Sequence, residues 1–535
     1  MKRLVAAMLP PDIRRRLRRA QLHGDHAIAA RAFDRAFYLS TYADVAAGGG
    51  DPLDHYMAHG WREGRDPSPV FSTRIYLEMF PDVAESGVNP FVHWLTTGRP
   101  KLRRPPPPYG FRYEVIARLA SMDERLEALP PAAPASGSAA DLDAAFARAR
   151  SNFAKLHVTV SHDDFTATVG GLQTAIRREA ARLEADERDH LHVFPARPWP
   201  VVRPVGVVEP LGVVWNGVFL GHFDAADLRA ALARAGSAAA RVESGGSRSF
   251  AIHSLLGHDP DTVADVLAAA GLSAGHFWLH DFASLCAGFH LLRNDVEDCA
   301  APPPDSPACG VCVYGPWRAR HEAAHVRLFE RLKLTVAAPS RNALDLWEAR
   351  ARLPHAGAVV LPHATLAARG PAPAPDGGGP FRLAFAGLPV AHKGFPIFAE
   401  LASRFADDPR YEFLHLGARR DPGAECGFET VTRDMSGALA RAQADAVLVW
   451  PLCRETFSFV AYEAVAAGCA VITGPDSGNV RAFVEETGHG LSLRDEAALE
   501  AAFESGAILD LARARRRPML YDLSFSALSL DLPSP

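Results

Sequence analysis

The sequence predicts an α/β protein: two Rossmann-like βα domains facing a cleft, with a small α-helical repeat module ahead of them. Three observations carry this. From Leu156 onward, short apolar strand patterns alternate with amphipathic helix patterns, the pattern of parallel sheets covered by helices. The series breaks once, at "GPAPAPDGGGP" (370–380), and then resumes. Two halves joined by a hinge put a binding cleft along the carboxyl ends of their strands. Ahead of both, a stretch starting at Phe33 returns at Phe71, an offset of 38.

The repeat pairs "FDRAFYLSTYADVAAGGGDPLDHYMAHG" with "FSTRIYLEMFPDVAESGVNPFVHWLTTG". Tyr38 matches Tyr76, Asp44 matches Asp82, Pro52 matches Pro90, His55 matches His93 and Gly60 matches Gly98. Each unit reads as two short helices with an aromatic inner face and a Gly/Pro turn. Two copies are fewer than a free solenoid needs, so the pair packs on itself or on a neighbour. An accessory module is one reading and a docking surface for a protein partner the other.

The expected organisation is a basic N-terminal helix (1–32), the repeat module (33–102), a Pro-rich linker with a helix (103–154), a first βα domain (155–375), a second (380–505) and a C-terminal tail (506–535). "RRPPPPYG" is a stiff linker, residues 111–128 read as helix, and "LPPAAPASGSAA" (129–140) reads as disordered. Strands of the first domain are "LHVTVS", "HLHVF", "GVVWNGVFL", "FAIHSLL", "HFWLHD", "LTVAAPS" and "GAVVLPH". Those of the second are "FRLAFAG", "YEFLHLG", "AVLVWP" and "AVITGP".

Composition excludes several classes. Charged residues make up 22% of the 535 and the net charge is −5, without the basic excess of a nucleic-acid binder. No apolar run reaches the ~18 residues that span a bilayer. "MKRLVAAMLPPDIRRRLRRAQL" has too short an apolar core for a signal peptide. The expectation is a cytoplasmic protein. Contact of the arginine run with an anionic inner-membrane surface is an alternative to a solvated helix.

In "RETFSFVAYEAVAAGCAVITGPDSG" (454–478), Glu455 and Glu463 stand eight apart, on nearly one face of a helix. A helix beginning near Glu455, with Thr456 and Ser458 as caps, would offer unpaired first-turn amides to an anion. The acids would then meet hydroxyls of a ligand rather than lie buried unpaired.

"ETFSFVAYEAVAAGCAVITGPDSG" resembles the paired-glutamate segment of retaining GT-B glycosyltransferases of the family-four type. "FAGLPVAHKGFPIFAEL" (385–401) resembles their G-R-x5-K-G loop, which holds the donor diphosphate. Lys393 and Gly394 match it. The arginine position is Leu388 here, with Arg420, Arg433 and Arg454 as replacement cations. "VSHDDFTATVGGLQTAIRREAARL" is similar to the family's glycine-rich opening loop, which implies that Gly170 and Gly171 approach a phosphate. "FWLHDFASLC" (277–286) looks like the strand end that puts a histidine beside the reacting sugar. That resemblance implies a catalytic His280, with Asp281 and His253 on the acceptor side. It further implies that Lys393 and Glu455 act in catalysis, and that Thr456, Phe457, Ser458 and Glu463 help hold the donor. No metal is needed by the family's mechanism. The repeats resemble segments attached to bacterial polysaccharide transferases. The resemblance spans roughly 155–505.

The implied activity moves a sugar from a nucleotide-diphosphate sugar to a glycan or lipid-linked acceptor in bacterial surface-polysaccharide synthesis. A non-catalytic sugar-nucleotide-binding scaffold on the same fold is the alternative, and an epimerase a third. Cys286, Cys299, Cys309 and Cys312 include a Cys-x2-Cys pair. Both a structural zinc and four reduced thiols in an irregular loop fit that spacing. Cys426, Cys453 and Cys469 read as small hydrophobes.

Overall fold

The computed structural model describes residues 22–68, 71–97, 110–168, 170–239, 247–371, 379–514 and 519–533. The N-terminal arginine run and the "RRPPPPY" stretch (103–109) lie outside them. The chain divides into two compact units. One is the chain to Ser121 with Arg293–Val296 and Pro302–Pro316; the other is Met122–Leu292, Glu297–Ala301 and Trp317–Pro535.

In the first unit each repeat forms three short helical segments, not two. They are Arg35–Thr41, Ala43–Gly48 and Pro52–His55, then Thr73–Met79, Pro81–Ser86 and Pro90–Thr96. The third segment starts alike in both copies. Proline takes the first helical position, where its missing N–H costs nothing. Asp51 caps the N–H groups of Leu53 and Asp54, and Asn89 those of Phe91 and Val92. The matched tyrosines and histidines are one hydrogen bond made twice: Tyr38 to His55 Nδ1 at 3.0 Å and Tyr76 to His93 Nδ1 at 2.7 Å. The two copies pack on each other through one aromatic core that holds Phe33, Tyr56, Phe71 and Phe91. Val296 joins that core, and Thr41 Oγ1 donates to the Gly310 carbonyl.

Asp66 is buried beside that core and accepts from the Thr73 N–H at 2.6 Å. Burial pushes its pKa up to about 7, against the opposing pull of that N–H, Arg293 and Arg74. A carboxyl raised in the folded state destabilises the fold once the unfolded chain has ionised. Stability of this unit should therefore fall as pH rises from about 4 to about 7. Asp66→Asn keeps the acceptor oxygen and should flatten this dependence by on the order of 3 kcal/mol. Denaturant unfolding of both proteins at pH 4.5 and 8, followed by the module's aromatic signal, checks this.

The second unit holds two large sheets. The first contains β1 (Leu156–Val160), β2 (Asp189–Pro195), β3 (Leu211–Trp215), β4 (Val218–Phe223), β5 (Ser249–Ile252), β6 (Ala274–Trp278), β7 (Lys333–Ala338) and β8 (Gly357–Val360). Their order is β8-β7-β6-β5-β1-β2-β3-β4. The strands from β8 to β2 run parallel, while β3 and β4 are antiparallel additions. "GVVWNGVFL" is thus a hairpin, not one strand. Asn216 (φ 48°) and Gly217 (φ 84°) form its two-residue turn, as an Asn-Gly pair does.

The second sheet contains β9 (Phe381–Ala386), β10 (Tyr411–Gly417), β11 (Gly427–Thr430), β12 (Ala446–Leu448), β13 (Ala470–Thr473) and β14 (Gly490–Ser492). It runs β11-β10-β9-β12-β13-β14, parallel throughout. From the β9/β12 boundary the chain steps outward through β10 and β11 on one side and through β13 and β14 on the other, so the strand order reverses there. That boundary is where an open α/β sheet binds ligands. Two Rossmann-like domains sharing one cleft make the GT-B arrangement that the resemblance implies.

Two expected loose segments are built in. Residues 129–138 lie along the edge of the first sheet: Ser136 N–H donates to the His222 carbonyl at 2.8 Å, and the His222 N–H to Ser136 Oγ at 3.0 Å. Ser138 then caps the helix Ala139–Phe146. Backbone pairing with an open sheet edge orders a sequence that is apolar-poor and Pro-rich. The segment read as a tail adds a strand, Met519–Phe525, antiparallel to Ala364–Pro371. A turn at Leu528–Asp531 then buries Leu528 against Ala175, Ala251, Trp278 and Ala337 of the first domain. Among the described residues no helix is long and apolar enough to cross a membrane.

Candidate functional site

The carboxyl ends of both sheets open onto one cavity of about 510 Å³. Phe385–Gly387 at the end of β9 and Leu448–Val449 at the end of β12 form its floor at the switch point of the second sheet. Gly170, Gly171, His280 and Asp281 come from the first domain, and Lys393 and Arg454–Val460 from the second.

Lys393 ends a short 3-10 turn, Ala391–Lys393, closed by Gly394. That glycine is needed twice over. Its φ is 81°, and a Cβ there would lie 1.9 Å from the Trp450 carbonyl oxygen. The turn can therefore press against the end of β12 and aim Lys393 across it. Lys393 Nζ donates to Glu455 Oε1 at 2.5 Å. Burial opposes the lysine's charge, but the pull of Glu455 and Cys453 outweighs burial and raises its pKa. The ammonium keeps further donors for a ligand.

Glu455 is not on the helix that follows. That helix is Phe459–Ala466, and Ser458 ahead of it has φ 81° and ψ 90°, a rare conformation for a side chain with a Cβ. Ser458 makes no side-chain cap. Thr456 does not cap either: its Oγ1 donates to the His280 carbonyl at 2.8 Å, while its own carbonyl accepts from Ser340 Oγ at 2.7 Å. Glu455 instead sits in extended backbone bridged to Gly478. The Asn479 N–H donates to its carbonyl and Asn479 Nδ2 to that of Phe457.

The helix Gly171–Ala185 also starts without a side-chain cap. A Cβ on Gly171 would lie 3.7 Å from the Phe459 ring, so the two helix starts are in van der Waals reach. Each presents unpaired amides and the positive end of its dipole to the same cavity. Gly170 is extended (φ −178°). Its part is to leave room for Gln173 rather than to adopt a special conformation.

His280 follows β6 on the cavity wall, and its pKa is held well below the usual range by burial and then by His253 and His363. Asp281 beside it accepts from the Ala283 N–H at 2.8 Å, and burial raises its pKa. Phe457 stacks on Tyr462 at 4.4 Å.

Three expectations need correction. His253 is not on the wall: its side chain is sealed, and it lies behind His280 at 2.7 Å. Glu463 is not on the wall either. Four residues past Phe459, it sits one turn deeper in the helix, about 6 Å along the axis. Burial raises its pKa, with Arg178 as the opposing cation. The cysteines form no metal site. Among the described residues, no group of three or more His, Cys, Asp or Glu side chains could hold a metal ion. Cys286 and Cys299 instead pack against the apolar core of the first sheet, and burial raises the Cys312 thiol.

Leu388, in the arginine position, lines the cavity half-exposed. Arg420 and Arg433 are exposed and off the wall. Arg454 is on it, but paired with Asp298 at 2.8 Å. Sequence reading missed His290, His363 and His392. His290 and His392 stack at 4.4 Å. His363 stands three residues beyond β8, in the expected strand segment "GAVVLPH".

The chain is similar in structure to the sucrose-phosphate synthase of Thermosynechococcus elongatus, at 14% identity over 68% of this chain and 93% of that one, TM-score 0.42. It is similar to Anabaena Alr3699/HepE, solved with UDP-glucose, at 13% identity over 68% and 94%, TM-score 0.38. It is similar to the lipopolysaccharide outer core galactosyltransferase WaaB at 11% identity over 67% and 91%, TM-score 0.34. No family model and no curated protein matches it. What the cavity can do is read from its own residues.

Gly394→Ala should displace the Lys393 turn and destabilise the chain by at least about 1–3 kcal/mol, the cost of a strained left-handed residue. Urea unfolding checks this. An unchanged midpoint would show that the turn can relax away from Trp450.

Proposed function

We propose that the chain is a retaining glycosyltransferase that moves a sugar from a nucleotide-diphosphate sugar to a glycan or lipid-linked acceptor. One observation carries the reading: two uncapped helix starts, one from each domain, and Lys393 converge on a single cavity. Such a place suits a diphosphate. As the anomeric C–O bond breaks, charge builds on the leaving diphosphate. Lys393 and the amides at Gly171–Leu172 and Phe459–Val460 stabilise it. Glu455 orients the sugar beside Lys393. His280 and Asp281 flank the reacting carbon from the first domain, and the acceptor attacks from the face the leaving group departs. Glu463 takes part through Arg178 rather than by touching the ribose. Bacterial surface-polysaccharide synthesis is the setting that the repeats' resemblance suggests.

The alternative is a non-catalytic binder of nucleotide sugars. Leu388 in the arginine position favours it, as do Lys393 and Arg454 already carrying carboxylate partners.

Donor turnover separates the two. UDP-, GDP- and ADP-sugars are offered to the full chain, and the anomeric configuration of the released sugar is read by NMR. The expected result is turnover with retention for one donor. Lys393→Ala should then lower kcat about 100-fold while KM changes much less, because its contact strengthens in the transition state. Binding without turnover by any donor supports the scaffold, and an inverted product removes the retaining mechanism.

A further inference from the structure

The stretch Pro302–Pro316 belongs to the first unit, with the repeats. Its centre, "CGVC" (309–312), is one tight turn. The Cys312 N–H donates to the Cys309 carbonyl at 3.2 Å. Val311 has φ −99° and ψ 6°, the values of the third residue of a type I turn. Glycine at 315 lets the chain wind back onto it: a Cβ there would lie 1.9 Å from the Cys309 carbonyl oxygen. The first and last Cα atoms of such a turn lie within about 7 Å of each other. A disulfide spans about 4.4–6.8 Å between Cα atoms. The turn thus brings two thiols, Cys309 and Cys312, within the reach of a disulfide.

The residues between the cysteines hold the stretch to the rest of the first unit. The Gly310 carbonyl accepts from Thr41 Oγ1 at 3.1 Å, and a Cβ on Gly310 would lie 2.8 Å from Thr41 Cγ2. Thr41 ends the first helix of the first repeat. The Val311 carbonyl accepts from Asn294 Nδ2 at 2.9 Å, and Asn294 Oδ1 accepts from the Val313 N–H at 2.9 Å, both bonds buried. Two successive carbonyls of the turn are therefore aimed at fixed partners, and a cross-link that holds the turn holds that aim. The two thiols differ in setting. Cys309 Sγ lies 3.8 Å from the Pro303 carbonyl in an exposed contact. Burial raises the Cys312 thiol and the nearness of Cys309 adds to this, against the backbone of Asn294 and Tyr314.

We propose that Cys309 and Cys312 are a redox-active pair, oxidised by a small-molecule disulfide to a disulfide of their own that locks the turn onto the first repeat. Cys309, the thiol on the exposed side, attacks as thiolate on one sulfur of the small disulfide. The S–S bond breaks, and one half leaves with the bonding electron pair. Cys312 then loses its proton and attacks the Cys309 sulfur of the mixed disulfide, and the second half leaves in the same way. Two protein thiols are oxidised and one small disulfide is reduced to two thiols, which take up the two protons. Cys312 needs no access to solvent, because the sulfur it attacks is brought to it by the turn. No step involves the cavity of the second unit.

The full chain is incubated with oxidised glutathione, alkylated and cut before its aspartates. The peptide that begins at Asp305 then holds Cys309 and Cys312 and no other cysteine. The expected result is that peptide unalkylated and two hydrogens lighter. In Cys312→Ser the same treatment should leave glutathione attached to Cys309, because the second attacking thiol is gone. Full alkylation of both thiols overturns the pair. So does a cross-link from either one to Cys286 or Cys299, or zinc that the untreated chain binds and Cys312→Ser loses. Thermal unfolding followed by the module's aromatic signal reads the lock. Oxidation should raise the wild-type midpoint by about 5 °C and leave that of Cys312→Ser unmoved. A wild-type midpoint that stays or falls overturns the lock. Should Cys312→Ser not fold, the wild-type peptide and midpoint decide.

Discussion

Thr456 ties the two domains of the cavity together. Its hydroxyl donates to the backbone after β6 and its carbonyl accepts from the Ser340 hydroxyl after β7. The Ser340 bond is buried and the His280 bond partly so, and a buried polar group left without its partner costs about 1–3 kcal/mol. The loop between β12 and its helix is thus held from the far side of the cleft. That hold accounts for the unusual backbone of Ser458, for Glu455 lying off the helix, and for the unoccupied cap at Phe459. A helix start finished by its own side chain would have closed the amides that the cavity leaves open.

The cavity rests electrically balanced. Lys393 faces Glu455 and Arg454 faces Asp298, and burial lowers the pKa of His280, His290 and His363 on the wall. Isolated charges in so enclosed a space would be costly. An entering anion therefore has to share these cations rather than find them vacant, and Lys393 is suited to sharing because an ammonium has three donors. Leu388 adds apolar surface where a guanidinium would have added a third charge.

Much of the architecture was legible from local pattern. β9, β10, β12 and β13 are short apolar runs bounded by glycine or proline, and such runs name themselves. The Tyr and His pairs of the repeats were visible as matched letters, and the structure makes each pair a bond. What escaped depends on distance or on backbone. The strand Met519–Phe525 finds its partner at Ala364–Pro371, far back in the chain. The eight-residue spacing of Glu455 and Glu463 reads as one helix face only if the helix runs through both, and the turn at Ser458 stops it. The Asn-Gly turn inside "GVVWNGVFL" was a readable signal masked by the apolar letters around it. The hydrogen-bonded run from Glu179 through His253 and His280 to His363 was invisible because its members come from one helix and three strand ends, its rings chosen from 22 histidines. Only the alignment of those strand ends stacks these rings.

The pieces of the first unit contributed from beyond β6, Arg293–Val296 and Pro302–Pro316, change how the chain can be taken apart. The polypeptide passes between the units after Ser121, Leu292, Val296, Ala301 and Pro316, so a boundary drawn in space matches no single cut in the gene. A fragment starting at Met122 would carry Val296 with no aromatic cluster to enter and Gly310 with no Thr41 to bond. A fragment ending at Ser121 would lack the same residues from its own core. Anyone wishing to study the unit with the two large sheets alone would have to shorten or redesign the stretch from 293 to 316 as well as remove the front of the chain.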